Sequence, residues 1–534
     1  MSRSTRLRPK ILLVPSLLAL LFLSRCPSHL YAQAAQSSSQ NNEILFPGAA
    51  PCDQGLQACI DAAPNGSTIH IAAGSYTGSF TLSRPVSLVG SGAAATILSA
   101  EGEQRVLHIF DAAVTSQVVI ADLTIRGGKA NGANNPDQNG GGILIEEGAT
   151  PQLQRLIVRD NYAFNMGGGI AIINTGAVTI RDTQLINNQS AGTGGGLCSA
   201  AESTTIENSV IEQNQAKHGG GALINGHFTF TNVTVRANRA EELGGGLYGG
   251  MDGKFDVLIS QISQSHFSDN QAGYQGGGAF LFNTRIDHSE FRQNLAHNDT
   301  APSAGGALAS SNSLTVTKST FISNSATDGG AIAGLGGKLW IHNSLFSDNH
   351  ALDVNNGAAI SLVDANEVTR VCITHVTIVN RGQDLAQNNA AAIKSGAGEI
   401  RLTNSIVVNH AAAILNSGGR VMEQTNLYYG NGQNIIGQLL RSLHGIDGDP
   451  LFENPAAFNF HLKSTSPAIN AGSTVTDVLD DIDGEMRPTG DAPDIGFDEA
   501  VPGVTQPDQP VVPVQPDPDF SVPNGVYLPL VIGQ

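Results

Sequence analysis

The 534-residue chain contains few of the residues that fill the core of an ordinary globular protein. Only 5% of its residues are aromatic, only 14% are charged, and there is a single Trp. Outside the N-terminus, no apolar run is long enough to cross a bilayer, so we expect no transmembrane span in the mature chain. Gly, Ala, Asn, Ser and Thr are abundant instead. This composition favours narrow stacked strands over a conventional globular core.

Basic residues are scarce and partly concentrated at the N-terminus. There, basic residues precede an apolar run at 11–24, and small residues follow at 32–34, which predicts a signal peptide over 1–34. The chain is therefore expected to be exported, and extracellular or associated with the cell surface or outer membrane. Removing 1–34 takes five of the 28 basic residues and no acidic ones, leaving 23 against 46 and a net charge of −23. This charge argues against nucleic acid as a partner.

Cysteine is rare as well, with five in the chain, one of them inside the predicted signal peptide. Only Cys52 and Cys59 are close in sequence, and we expect a disulfide between them in an exported chain. Cys198 and Cys372 are expected to pack as small apolar residues. The cysteine spacings do not match a zinc finger.

A repeated pattern dominates the middle of the chain. Eight segments carry an apolar residue, two variable residues and an Asn, followed by Gly or Ala clusters, and successive Asn residues lie 24 to 32 positions apart. Short β-type runs separated by turn residues fill each unit, and this period is typical of solenoids. Each unit therefore predicts one coil of a right-handed parallel β-helix, in which coils stack about 4.8 Å apart. We expect about 13 coils over 67–445.

Stacked coils place equivalent residues directly above one another. Phe291, Phe321 and Phe346 should stack in the interior, with a serine column two residues earlier. The Asn residues should lie in turns, where Asn tolerates left-handed backbone, and should bond to the Asn above and below. The predicted ladder contains Asn161, Asn188, Asn214, Asn238, Asn270, Asn294, Asn324 and Asn349.

The two ends of the solenoid have different sequences. Residues 35–66 form an N-terminal segment with a short amphipathic helix around 53–62, and 52–92 resembles the first coil of pectin-lyase-like β-helix proteins. Residues 446–500 contain the motifs DPLF, SPAI, DG with RP, and DIG, and this stretch resembles the choice-of-anchor Q domain of exported β-helix proteins. We expect 446–500 to cap the last coil, because open strand edges need covering. A proline-rich linker and an apolar tail follow at 501–534.

Acidic residues are concentrated in this C-terminal region. Asp481, Asp483 and Asp494 offer hard oxygen ligands for Ca²⁺, but their spacing matches no calcium loop. Capping turns are the alternative that we favour. No other cofactor is indicated.

The coils at about 139–350 resemble the repeat of the polymorphic outer-membrane protein family, which pairs F-x-x-N with G-G-A-[ILV]. The stretches 321–324 with 329–332, and 291–294 with 305–308, match this pattern. The resemblance implies a surface-displayed β-helix associated with adhesion. Those proteins end in a large barrel, whereas about 34 residues follow the predicted cap, so we do not expect outer-membrane insertion by a barrel of its own.

Two surface constellations could carry function. Aligning the coils brings His266, Glu290 and Arg292 together on the outside, where an imidazole, a carboxylate and a guanidinium could serve acid/base catalysis. A solvated ion cluster is the simpler interpretation. Five aromatic residues near the glycine corners could stack on sugar rings or merely anchor loops. This strip consists of Tyr162, Phe164, His218, Tyr248 and Tyr274.

The sequence thus predicts an all-β, right-handed parallel β-helix that acts as an adhesin-like interaction protein, expected to be monomeric. Its partner would be a polysaccharide or a cell-surface glycan or protein. The residue sets of pectate lyases and polygalacturonases are not recognisable. A polysaccharide lyase or an inverting glycoside hydrolase is the alternative, and a structural surface spacer is the second alternative.

Overall fold

The computed structural model describes residues 43–133, 137–250, 259–362, 370–382, 390–396, 398–443 and 445–501. The predicted signal peptide at 1–34 and the tail at 502–534 lie outside these residues. Within the described ranges, no helix has the length and apolarity needed to span a membrane.

The chain forms a right-handed parallel β-helix, which confirms the predicted fold class. Three parallel sheets run along the rod, with 29, 14 and nine strands in the described residues. The 14-strand sheet takes one strand from each coil, namely Phe80–Leu82, Leu107–Ile109, Ile143–Ile145, Ile170–Ile173, Leu197–Ala200, Ala222–Ile224, Leu247–Gly249, Ala279–Leu281, Leu308–Ser310, Ile332–Gly334, Gly357–Leu362, Ala391–Ser395, Ala412–Asn416 and Gln433–Ile436. The nine-strand sheet contains Lys129–Ala130, Tyr162–Ala163, Gln189–Ser190, Gln215–His218, Arg239–Leu243, Gln271–Ala272, Leu295–Ala296, Ser325–Ala326 and His350–Ala351.

The 29-strand sheet takes two consecutive strands, or one long bent strand, from most coils. Its strands are Glu43–Phe46, Thr68–Ile71, Gly74–Thr77, Ser87–Gly90, Thr96–Ser99, Val119–Ala121, Thr124–Arg126, Gln152–Gln154, Ile157–Arg159, Ala177–Arg181, Gln184–Ile186, Ser203–Glu207, Val210–Glu212, His227–Thr231, Thr234–Arg236, Ser260–Ser263, His266–Ser268, Thr284–Asp287, Glu290–Arg292, Leu314–Thr317, Thr320–Ile322, Lys338–Ser347, Arg370–Val379, Glu399–Thr403, Ile406–Val408, Arg420–Gln424, Leu427–Tyr429, Arg441–Leu443 and Ile446–Asp447.

Four short elements complete the described structure. A helix, Leu56–Ala62, lies between the first two strands of the 29-strand sheet, and its Cys59 is disulfide-bonded to Cys52. Near the C-terminus, strands Phe452–Asn454 and Asn459–Leu462 form an antiparallel pair around the 3₁₀ turn Pro455–Ala457.

The interior of the rod consists of columns of like residues. Phe267, Phe291, Phe321 and Phe346 are fully buried and stack with ring centroids 4.6–5.1 Å apart and nearly parallel planes. A serine column runs beside them, in which each hydroxyl donates to a carbonyl of its own coil and accepts from the backbone of the neighbouring coil. Each coil therefore repeats the side-chain packing of the coil before it.

The eight ladder asparagines are buried, and their amides are bonded in both directions. Asn270 Nδ2 donates to Asn294 Oδ1 at 2.9 Å and to the Val235 carbonyl at 2.8 Å. Its Oδ1 accepts from both Nδ2 and the backbone N–H of Asn238. The same pattern links the amides from Asn161 to Asn349. These amides therefore leave little hydrogen-bonding capacity unused in the core.

The prediction that these asparagines themselves adopt the left-handed backbone conformation is wrong, because the residue before each of them adopts it. The left-handed residue is the one before each ladder Asn, such as Asp269 with φ 57° or Ser323 with φ 55°. This turn directs the Asn side chain inward instead of leaving it at a surface corner. At the next corner, Gly276 has φ 66°, and a Cβ there would come within 2.3 Å of the Ala279 carbonyl oxygen, which is why glycine is required.

The predicted position of the C-terminal region is also wrong. Residues 446–447 pair within the rod, and 448–501, which we call the side segment, packs against the side of the rod instead of its end. Asp480 bonds to Lys318 and Asn343, and Asn404 Nδ2 donates to the Ser473 carbonyl at 2.7 Å. The last coil keeps exposed residues such as Gln433 and Leu440.

An apolar seam joins the side segment to the rod. The rod contributes outward-facing residues from four successive coils, Leu345, Val379, Ile406, Val408 and Leu427. The side segment contributes Phe452, Phe460, Leu462, Ala468, Ile482, Ile495 and Phe497. Alternate residues of the same rod strands, including Phe346 and Ile378, face the interior. These strands are thus buried on both faces.

We expect Asn270→Ala to lower the free energy of unfolding by about 1–3 kcal/mol, because it leaves the buried amide and N–H of Asn238 without their acceptor. Guanidinium denaturation should report the loss. Asn434→Ala, which removes one exposed hydrogen bond to Asp447, is the control and should change little. Equal effects of the two substitutions would contradict a stabilising ladder.

Truncation after Asp447 should expose the apolar seam and cause aggregation, whereas deletion of 502–534 should leave the chain soluble, because it keeps the seam residues Phe452, Phe460 and Phe497 in place. Size-exclusion chromatography of the two truncated chains measures this difference. If both elute as soluble monomers, the side segment does not protect the rod.

Candidate functional site

The structure brings the three predicted catalytic candidates together on the outside of the 29-strand sheet. Glu290 Oε1 accepts from Arg292 Nε at 2.6 Å, and Glu290 Oε2 lies 3.6 Å from His266 Nδ1. Burial alone would raise the pKa of Glu290, but hydrogen bonds from His266 and Arg292 outweigh it, so the pKa lies below its usual range. A carboxylate held ionised in this way is a poor general acid at neutral pH.

This cluster also contacts the side segment. The Arg292 guanidinium lies 5.5 Å from the centre of the Phe458 ring, and the Arg381 guanidinium lies 3.5 Å from the same ring. Arg381 is in turn paired with Asp348 at 2.6 Å. The geometry therefore supports an anchoring role for Arg292 and Glu290, because the Phe458 ring lies close to two guanidinium groups.

The predicted aromatic strip separates into different surfaces. Tyr162 lies in the nine-strand sheet, and Phe164 and Tyr274 are exposed in the loops that follow this sheet. Only His218 and Tyr248 come together, with ring centroids 6.2 Å apart. His218 ends a strand of the nine-strand sheet, and Tyr248 lies on the adjacent 14-strand sheet.

One column of residues runs along the outer face of the 14-strand sheet. In each strand of the 14-strand sheet the neighbours of the central residue enter the core, so the central residue faces outward. Register places His108, Leu144, Ala171, Cys198, Leu223 and Tyr248 in succession, followed by Phe280, Ala309, Ala333, Ser361 and Lys394. From His108 to Lys394 the column spans ten coil steps, or about 48 Å. Most of these residues are buried, and only His108, Tyr248 and Lys394 are partly exposed. We call this row the outer column.

An aromatic cluster occupies the middle of the outer column. Tyr248 contacts Phe280, with ring centroids 5.2 Å apart, and Phe282, at 6.2 Å, in addition to His218. Phe280 is buried, whereas Tyr248 and Phe282 are half-buried and keep part of their rings at the surface. Burial lowers the pKa of His218, which therefore favours the neutral imidazole. The cluster offers ring faces together with a neutral hydrogen-bonding group.

A titratable pair that the sequence did not indicate lies near the N-terminal end of the outer column. His108 Nε2 is 2.8 Å from Glu146 Oε1, and both side chains are largely buried. Burial lowers the pKa of His108 against the opposing effect of Glu146. Nearby, Arg105 donates to the Asn139 carbonyl at 3.2 Å, and burial lowers its pKa. The contact between His108 and Glu146 could have been predicted from the sequence only by aligning the coils so that Leu107 pairs with Ile143.

A second charged group lies at the other end of the same face. Lys394 Nζ contacts Asp328 Oδ2 at 3.3 Å and donates to Asn356 Oδ1 at 2.5 Å. Asp328 belongs to the row of bridge residues beside the sheet, and Lys394 belongs to the outer column. The aromatic cluster is thus flanked by polar groups about 24 Å away in each direction.

The three predicted calcium ligands do not form one site. Asp481 Oδ1 accepts the backbone N–H groups of residues 483–485, and its Oδ2 accepts the N–H of Glu499. Asp494 accepts the N–H groups of Asn470 and Ala500. Asp494 is absent from both ligand-type groups that the described residues form. The carboxylates of Asp481 and Asp494 thus hold turns of the side segment.

Comparison with known proteins agrees with the fold. A family profile described as a right handed beta helix region matches residues 111–255. No curated protein matches the chain.

Several solved structures share the architecture at low identity. The A-module of mannuronan C-5 epimerase AlgE6 from Azotobacter vinelandii is 17% identical, with a TM-score of 0.42, over 74% of this chain and 94% of that chain. The catalytic unit of a GH87 alpha-1,3-glucanase from Streptomyces thermodiastaticus is 13% identical, with a TM-score of 0.34, over 78% and 70%. Pectate lyase Pel9A is 13% identical, with a TM-score of 0.25, over 83% and 90%. These likenesses concern the fold alone.

Glu290→Gln should lower the free energy of unfolding by at most about 1 kcal/mol at pH 7, because the ion pairs it removes are partly solvated. The folded-state pKa of Glu290 is depressed, so its contribution is present above the unfolded pKa and is lost as the pH falls through the folded pKa. The difference in Tm between wild type and variant should therefore shrink as the pH is lowered through the folded pKa of Glu290. A gap that stays constant as the pH is lowered would contradict this role for the carboxylate.

Proposed function

We propose that this protein is an exported, adhesin-like interaction protein that binds an extended polysaccharide lengthwise along the outer column. The aromatic cluster carries this proposal, because half-buried rings on an otherwise regular rod offer a platform for the apolar face of a sugar ring. Tyr248 and Phe282 provide the ring surfaces. The direction of the column matches a linear ligand.

Electrostatics favours a neutral polysaccharide. The chain carries a formal net charge of −18, which repels a polyanion. The cations near the outer column are already compensated, since Lys394 is paired with Asp328, and Arg105 faces the charges of Asp137 and Glu146. Such polar groups suit hydrogen bonds to sugar hydroxyls better than capture of carboxylate groups.

A second candidate function is polysaccharide cleavage, as in a lyase or an inverting glycoside hydrolase. The His108–Glu146 pair favours it, because an imidazole whose pKa is lowered by burial is available as a base at neutral pH. Arg105 is the nearby cation that would stabilise a developing negative charge. The groups lie on the same face as the aromatic cluster, so one bound chain could contact both.

Tyr248→Ala should raise the dissociation constant for the bound polysaccharide about tenfold, because a ring contact is worth about 0.5–1.5 kcal/mol. Affinity electrophoresis in gels containing neutral and acidic polysaccharides identifies the ligand, and calorimetry gives the constant. Tyr248→Phe keeps the ring and should bind like the wild type. Tyr274→Ala removes an exposed tyrosine outside the outer column and is the matched control.

The same mixtures of protein and polysaccharide also test the second candidate function, polysaccharide cleavage. New reducing or unsaturated ends that His108→Gln abolishes would favour the enzyme. Retention on a neutral polysaccharide without new ends would support the binding protein. Equal affinities of the Tyr248→Ala and Tyr274→Ala variants would overturn the proposed face, and absence of retention on all polysaccharides would overturn glycan binding.

A further inference from the structure

The side segment contains a group of metal-ligand side chains that the proposed function does not use. His461 lies on strand Asn459–Leu462, Asp483 lies in a turn, and Asp498 lies near the end of the described chain. One ligand atom from each lies within 4.8 Å of the other two. His461 and Asp498 are buried, and Asp483 is exposed, so the group is open to solvent on one side.

Asp498 provides an independent indication of a missing ligand. The residue is only 1% exposed, and its Oδ2 accepts the Leu462 N–H at 2.8 Å. Its Oδ1 is buried and has no hydrogen-bond partner. A buried carboxylate oxygen left in this state is costly. A cation beside Oδ1 would supply the missing interaction.

The imidazole of His461 is oriented as in a metal ligand. Its Nδ1 lies 2.8 Å from Asn459 Oδ1, so it donates to the amide oxygen, and this bond directs Nε2 toward Asp483 Oδ2 at 2.8 Å. Metal-bound histidines usually donate their second ring N–H to a carbonyl or carboxylate in this way.

Negative charge is in excess around the group. Asp498 interacts electrostatically with Asp483, His461 and Arg487. Arg487 is already paired with Glu499 at 2.8 Å, with both side chains 1% exposed. Asp481 and Asp494 also face Arg487. A divalent cation would compensate carboxylates that one guanidinium cannot neutralise.

We propose that His461 Nε2, Asp483 and Asp498 Oδ1 bind a divalent cation of the Zn²⁺ or Mn²⁺ class. One imidazole and two carboxylates suit these ions, whereas Ca²⁺ takes six to eight oxygen ligands. The cation takes the place of the proton shared between His461 and Asp483. Because the ligands come from three separated stretches of the side segment, binding ties its antiparallel strand pair to its last turn. The site lies away from the outer column and is independent of polysaccharide binding.

The test uses the full chain after EDTA treatment and dialysis, titrated by calorimetry with ZnCl₂, MnCl₂ and CaCl₂. We expect one equivalent of Zn²⁺ or Mn²⁺ that Asp483→Asn weakens at least about tenfold, as loss of a charged ligand should. Asp491→Asn makes the same change at an exposed acidic residue of the side segment and should leave this equivalent intact. Comparing the two variants separates this site from adventitious binding to other histidines.

Thermal unfolding provides a second readout, since an ion that binds only the folded chain raises Tm. Zn²⁺ or Mn²⁺ should raise the Tm of the wild type and of Asp491→Asn by more than that of Asp483→Asn. Asp498→Asn, which keeps an oxygen on the buried side chain, is the second ligand variant and should behave like Asp483→Asn. Far-ultraviolet circular dichroism checks that each variant is folded. Wild-type affinity in both ligand variants, or no saturable binding and no Tm shift, would overturn the site and leave His461 as a cation held by Asn459 and Asp483.

Discussion

The stacking of each coil on its own copy is the constraint on which the structure depends. At a spacing of about 4.8 Å, a side chain in the interior has the equivalent side chain of the next coil as its nearest neighbour. Residues that pack or hydrogen-bond favourably with their own kind are therefore favoured there, although unlike apolar residues such as Val235 and Phe267 also stack. Phenyl rings meet this condition by stacking in parallel, and asparagine meets it because its amide carries both a donor and an acceptor.

The same constraint fixes the corners of each coil. The chain must turn without placing a side chain in the path of the next coil, and it does so with single left-handed residues before the ladder Asn and with glycines before the 14-strand sheet. The outward positions of the 14-strand sheet lie outside the interior of the rod and accept more residue types, although most of them are buried. Residues as different as Leu144, Tyr248 and Lys394 therefore occupy one outer column. Specificity for a ligand can vary along this surface without disturbing the rod.

The sequence predicted the features that repeat. The fold class, the stacked Phe column and the positions of the eight buried Asn residues follow from spacing alone, because each repeat reports the same local geometry. The left-handed residue was assigned one position too late, since Asn tolerates that backbone and the residues that adopt it, such as Asp269 and Ser323, vary in type. Repetition reveals shared contacts more readily than it reveals a conformation that several residue types accept.

Features that occur once could not be predicted in this way. His108 and Glu146 are 38 positions apart, and His108 lies in a coil before the recognised repeats, so only the register of its coil on the next brings the two together. The sequence did contain a sign that the side segment packs against the side of the rod, but the repeat spacing does not reveal it. Outward positions that hold His266 or Glu290 in earlier coils become apolar in later ones, as at Leu345, Ile406 and Leu427.

The side segment shows how a solenoid can gain a second core. A rod of stacked coils has contacts mainly between neighbours, so each coil depends on the two beside it. The apolar seam breaks this rule, because one compact segment contacts the outer faces of several coils at once and adds hydrogen bonds from Lys318, Asn343 and Asn404. Opening any one of these coils then disturbs the segment and, through it, the others. The C-terminal half of the rod is thereby coupled laterally, while residues of the last coil such as Gln433 and Leu440 stay exposed among the described residues. The seam lies on the 29-strand sheet, so in the described residues its contacts do not cover the partly exposed members of the outer column, such as Tyr248.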